Sequence, residues 1–214
     1  SDVCSSDLWT NAGAGQLFHS PVQGSGIEER AVSLIEGEDT FHGTPDDLFF
    51  GHARLAPVGA AGPEVITLAR KNARMRITVR GLDRRIPEDR YYLTVEIPND
   101  GYDFVGNPIA GTARVRRTGA FHDNGDFSTD EAFNLIHTDP AVSPAGGVTV
   151  NLYEKALGRS ADRLIASVTD DDGRPISLPT GRTVNLLIDL NEGGGLSVYT
   201  EITPWDEIYQ WDIW

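Results

Sequence analysis

With 214 residues, the chain is long enough to bury a core of its own and fits one large or two small domains. A formal charge of −14 at pH 7 sets an acidic surface against phosphate backbones, so no nucleic-acid partner is expected. No run of about 18 apolar residues occurs, and no transmembrane helix is predicted.

The opening octet SDVCSSDL resembles a translated sequencing adapter, which predicts that Cys4 is not native and that the native start lies upstream. Cys4 is the single cysteine, so no internal disulfide can form. No apolar signal segment stands in front of it. The run NAGAGQLF (11–18) shows G-x-G, but Phe18 occupies the third glycine position and no strand leads in, so it reads as a loop. Gln23 stands where a nucleophile elbow around Ser25 would need glycine.

Strand signals then recur at short intervals. They are predicted at 31–35, 48–55, 65–69, 74–80, 91–97, 113–117, 148–153, 164–169, 184–190 and 196–203. The clearest is 74–80, where Met75, Ile77 and Val79 alternate with Arg74, Arg76, Thr78 and Arg80. The stretch 91–97 repeats the pattern and runs into a turn-dense Pro98-Asn99-Asp100-Gly101. The Gly-rich segment 191–195 predicts a hairpin between the last two strands. Helical signals are few. TDEAFNLI (129–136) has a Thr cap and an acidic first turn but could equally lead into a strand. The segment 156–165 is broken by Gly158. Ten short strands bounded by turns predict an all-β sandwich. The stretch 118–147 carries the least pattern, which places a domain boundary there and predicts two β-sandwich domains, 9–120 and 121–214.

Residues that could carry chemistry are scattered. His19, His42, His52, His122 and His137 show no metal-ligand spacing, although His42 and His52 could meet across a hairpin. The acidic stretch Asp123 to Asp130 has calcium-type oxygen ligands without an EF-hand spacing. Asp170-Asp171-Asp172-Gly173 reads as a turn. No pair of acids is marked out for glycoside cleavage. No cofactor or metal is predicted and no residue is assigned to catalysis. The C-terminal segment is the exception to this blandness: Trp205, Tyr209, Trp211 and Trp214 crowd its last ten residues and are the candidate partner or glycan surface. The competing expectation is that they fold back onto the sandwich.

The order of TPDDLFFGHARL (44–55), VITLARKNARMRITVRGL (65–82) and YYLTVEIPNDGYDFVGNP (91–108) resembles the fimbrillin superfamily of Bacteroidetes, in its branch of anchor and minor subunits that are lipoproteins. The closing strand at Val198–Ile202, followed by Trp205, is similar as well. The resemblance implies two tandem transthyretin-like Greek-key sandwiches, the first of them incomplete. It implies a non-catalytic structural subunit, most closely an anchor-type lipoprotein, that joins other fimbrial subunits by β-strand addition and meets surface ligands. It also implies attachment at the outer membrane through an N-terminal lipid that this chain does not show. The alternative reading is a carbohydrate-binding surface β-sandwich.

Overall fold

The computed structural model describes residues 5–11, 13–24, 26–54, 65–139, 141, 146–158, 160–191 and 193–211. Its strands in chain order are β1 (Ser5–Thr10), β2 (Gln16–Phe18), β3 (Arg30–Leu34), β4 (Phe49–Arg54), β5 (Ala69–Arg70), β6 (Asn72–Arg80), β7 (Tyr91–Asp103), β8 (Pro108–Arg117) and β9 (Gly119–Phe121). They continue with β10 (Phe127–Thr129), β11 (Phe133–Ile136), β12 (Thr149–Glu154), β13 (Arg163–Val168), β14 (Asp170–Asp171), β15 (Arg174–Pro175), β16 (Arg182–Leu190) and β17 (Leu196–Pro204). Two short 3-10 turns, Glu38–Thr40 and Glu88–Arg90, are the only helical segments among the described residues.

Two six-stranded sheets enclose one hydrophobic core. The first runs β17-β16-β6-β10-β9, with β11 also on β6. The second runs β13-β12-β7-β3-β2, with β8 along the opposite side of β7. The expected all-β sandwich is therefore present. Its inner faces follow the alternation in the sequence: Met75, Ile77 and Val79 are fully buried, whereas the arginines between them face outward. A smaller sheet, β1-β4-β5, brings Trp9 against the core.

Strand pairing runs across the expected division at 120/121. β6 lies parallel to β16, with Ile77 opposite Leu186, and β7 lies antiparallel to β12, with Leu93 opposite Leu152. The pattern-poor stretch that suggested a linker instead supplies three short strands. β10 and β11 dock on β6, and β9 extends β10. Burial explains why the helical reading of 129–136 fails. Phe133 and Leu135 alternate with Asn134 and enter the core opposite Met75 and Ala73, a placement that needs period two. In the second helical candidate, 156–165, residues 156–158 and 160–162 are irregular and 163–165 belong to β13, with Gly158 at φ 85°.

The expected turn at 98–101 lies inside β7. Register shifts on both sides of Asn99 absorb Pro98, which has no N–H to give the ladder. Asn99 is buried and its Nδ2 donates to the His137 carbonyl at 3.0 Å. Gly101 passes so close to β3 that a Cβ would collide with the Val32 carbonyl, and only glycine allows this crossing. The strand expected at 65–69 shrinks to β5, and residues 65–68 are irregular. The hairpin around 191–195 forms as expected, with all nine residue pairs of β16 and β17 in unbroken register.

Candidate functional site

Immediately after β17, Trp205 turns back onto the sheet and is only 8% exposed. The Arg70 guanidinium carbon sits 4.0 Å from its ring centroid and that of Arg74 sits 5.2 Å away. Arg70 is itself fixed by a two-pronged pair with Asp47 at 2.7 and 2.9 Å. The Trp205 carbonyl accepts from Arg74 at 3.0 Å and from the Thr183 hydroxyl at 2.8 Å. A tryptophan whose ring is covered by two cations and whose carbonyl is shared by two strands pins the C-terminal segment. It is not free to face a ligand, and the sequence expectation for this residue is corrected accordingly. Trp205→Ala is expected to cost about 2–3 kcal/mol in urea unfolding. Trp211→Ala should stay within about 1 kcal/mol.

Tyr209 and Trp211 behave differently. Tyr209 is 40% exposed, and its N–H donates to Asn185 Oδ1 at 3.2 Å, which ties the segment to β16. Trp211 is half-buried, edge-on to Tyr209 at 4.8 Å and tilted against Tyr199 at 6.4 Å. Trp214 lies outside the described residues. Of the four candidate aromatics, the structure thus brings Tyr209 and Trp211 together and assigns Trp205 to the scaffold.

The Tyr209–Trp211 pair borders a cleft of about 260 Å³ over the outer face of β6 and β10. Arg76 and Thr78 form its floor, with His122, Asn124 and Asp126 contributed by the β9–β10 turn. His122 Nε2 lies 2.5 Å from the Ser128 hydroxyl. Asp126 is held by both Arg80 Nε and Nη2 at 3.0 Å, and its second-residue neighbour Asn124 donates to it at 3.1 Å. That hydrogen bond to Asp126 raises the Arg80 pKa. Arg76 Nε is buried without a hydrogen-bond partner among the described residues. This is a site of planar hydrogen-bonding groups beside two aromatic rings, an arrangement suited to binding. Its aromatic rim is legible in the sequence. Its floor could have been read from the outward arginines of β6, which alternate with the buried core residues.

The remaining candidates disperse. Asp126 is committed to Arg80, and the stretch 122–126 closes as a turn in which the His122 N–H donates to the Asp126 carbonyl at 2.9 Å. No group of three or more His, Cys, Asp or Glu residues suited to a metal ion exists among the described residues. His42 lies beside β8, where its Nδ1 accepts from the Arg114 N–H at 3.2 Å. Asp170 to Asp172 lie in the β14–β15 hairpin, as the turn reading anticipated, and Asp172 adopts φ 52°.

The chain matches the family model described as fimbrillin-A associated anchor proteins Mfa1 and Mfa2 over residues 8–211. Among curated proteins it is 27% identical over 190 residues to the major fimbrium anchoring subunit FimB of Porphyromonas gingivalis, covering 82% of this chain. The chain spans 57% of that relative's length. Among solved structures it is similar to the fimbrial anchor protein Mfa2 from Porphyromonas gingivalis, with a TM-score of 0.61 at 11% identity, over 94% of this chain and 74% of that one. A candidate polysaccharide-binding protein from Bacteroides thetaiotaomicron shares the fold at a TM-score of 0.60 and 12% identity, over 92% and 74% of the two chains. The family model spans nearly all of both sheets, including the β6–β16 pairing and the Trp205 clamp, and the chain belongs to the family of fimbrillin-A associated anchor proteins.

Proposed function

We propose that this chain is a non-catalytic structural subunit of cell-surface fimbriae, of the anchor type, held at the outer membrane by a lipid on an N-terminal cysteine. The family match across residues 8–211 carries this reading. Joining to other subunits takes place by strand addition along β17. That strand pairs with β16 over its full nine residues and has no second strand partner among the described residues. Leu196, Tyr199 and Ile202 along it are each close to half exposed. Its outward-pointing Thr200 N–H is donated instead to Asp171 Oδ2 at 3.0 Å, so a carboxylate from the β14–β15 hairpin occupies one rung of the open edge. An incoming strand displaces Asp171 and gains main-chain hydrogen bonds, while side-chain grooves set the register.

The test is native mass spectrometry of the complete signal-bearing gene product, recovered from outer membranes with and without Thr200→Pro. Proline removes the outward N–H at an edge position that tolerates it. A diacyl or triacyl mass with co-purifying fimbrial chains, lost in the variant while the lipid mass stays, is the expected result. An unlipidated monomer without fimbrial partners would overturn the anchor reading.

A second reading, glycan binding, is favoured by one observation: Tyr209 and Trp211 flank Arg76, His122 and Asn124 in a single cleft. Aromatic faces beside planar hydrogen-bonding groups suit sugar rings. Screening neutral oligosaccharides against the wild type and Trp211→Ala decides it, and equal binding by the two would dismiss it.

A further inference from the structure

Arg117 closes β8 with its guanidinium half-buried, and among the described residues no carboxylate pairs with it. Its Nε is buried with no hydrogen-bond partner, and one terminal NH2 donates to the Thr44 hydroxyl at 3.0 Å. The guanidinium lies 4.8 Å from the centroid of the Phe133 ring. Burial lowers its pKa, yet a guanidinium does not discharge in a protein, so a desolvated charge stands with an unused donor. The Arg117 side chain lines a cleft of about 750 Å³ between the end of β8 and the connection from β10 to β11. Arg116, Thr118, Asn134, Asp130 and Glu131 complete its walls. Both guanidinium groups lie over a ring, Arg116 over Tyr92 at 3.9 Å, but only that of Arg117 combines burial with an unpartnered donor among the described residues. Arg117 is therefore the available cation.

We propose that this cleft takes a carboxylate side chain presented on an extended peptide of a partner chain, with Arg117 as its anchor. The geometry favours a peptide over an acidic sugar. The one aromatic ring in the lining, Phe133, is 7% exposed and covered by Arg117, so no free ring remains for a sugar to stack on. Thr118, the hydroxyl proton of Thr44, whose oxygen accepts from Arg117, and the Oδ1 of Asn134, whose Nδ2 donates to the Pro45 carbonyl, are instead hydrogen-bonding groups of the kind that meet a peptide backbone. Asp130 and Glu131 are exposed at the rim and repel a run of acids, so the site selects an isolated carboxylate. The peptide source rests on the structural-subunit reading; the carboxylate site itself does not.

The experiment is calorimetric titration of the full chain with the blocked peptide acetyl-Thr-Glu-Thr-amide, its Gln counterpart, and glucuronic acid. The Glu peptide should bind saturably and at least ~10-fold tighter than the Gln peptide, the scale of one charge-assisted bidentate contact. Arg117→Met should reduce it to the level of the Gln peptide. The rim variant Asp130→Asn with Glu131→Gln should tighten it by about 2–3-fold through relieved repulsion. Equal binding of the two peptides, unchanged affinity in Arg117→Met, or glucuronic acid binding as tightly as the Glu peptide would each overturn the proposal. Should Arg117→Met fail to fold, the rim variant decides, because no gain there overturns it as well. Recovery of fimbrial chains from membranes can fail while Glu-peptide binding persists, which separates the loss of the subunit reading from the loss of this site.

Discussion

Tyr102→Ala should destabilise the chain by about 4 kcal/mol, seen as a lower urea midpoint with an unchanged denaturant slope. Tyr102 is fully buried near the end of β7. Its ring lies 5.4 Å from Trp9 and is stacked on His137 at 5.6 Å, so one side chain joins the small β1-β4-β5 sheet to the main core. Its hydroxyl donates to the Lys71 carbonyl at 2.9 Å, and burial pushes the phenol pKa far up, keeping that proton in place. Tyr102→Phe isolates the hydroxyl. That change should cost only about 1 kcal/mol, because His137 Nδ1 also donates to the Lys71 carbonyl, at 2.8 Å, and keeps it satisfied. If alanine and phenylalanine cost the same, the ring is not the joint described.

The second large effect is an acid-driven loss of stability centred on His137. Burial first, and then the charge of Lys71, hold its pKa down at about 4, below the ordinary value of 6.5, while its hydrogen bond to the Lys71 backbone and then Asp139 pull the other way. A lowered pKa means that the unfolded chain binds the proton more readily. The native state thus keeps this contribution above pH 6.5 and loses it as pH falls from 6.5 to 4. The full loss is about 3 kcal/mol. The exposed Asp83, held at about 2 by its hydrogen bonds with Arg85, titrates below this window and does not mask it. Urea midpoints measured every half pH unit should fall across the window in the wild type and stay flatter in His137→Asn. Parallel curves for the two proteins would show that His137 is not the titrating group.

Most of the fold could be read where one side of a strand is wet. β6 and the hairpin of β16 and β17 were located to within a few residues because their inward and outward side chains differ in kind. β7 was cut short because Pro98 and Gly101 look like turn residues. They are there because a bulge and a close crossing with β3 require them. The strands β10 and β11 were hidden because three or four residues, such as Phe133 to Ile136, give too short a window to separate period two from a helical turn. The site was half legible. The aromatic cluster stood out in composition, but Trp205 and Trp211 look alike as sequence. Only the positions of Arg70 and Arg74, more than 130 residues upstream of Trp205, decide which of them is covered. Arg117 gave no signal, because an arginine at a strand end is ordinary until its missing counter-charge is seen.

The parallel pairing of β6 with β16 also fixes when the sandwich can close during synthesis. Ile77 leaves the ribosome long before its neighbour Leu186, a delay of about 5–20 seconds at typical translation speeds. Throughout that interval β6, with four fully buried aliphatic or thioether side chains on one face, lacks the strand that flanks it in the finished sheet. A nascent chain in this condition offers a bare, adhesive ribbon to any passing strand. Holding such a chain unfolded until it reaches its compartment would turn a folding hazard into a requirement of export, with chaperone dependence as its cost.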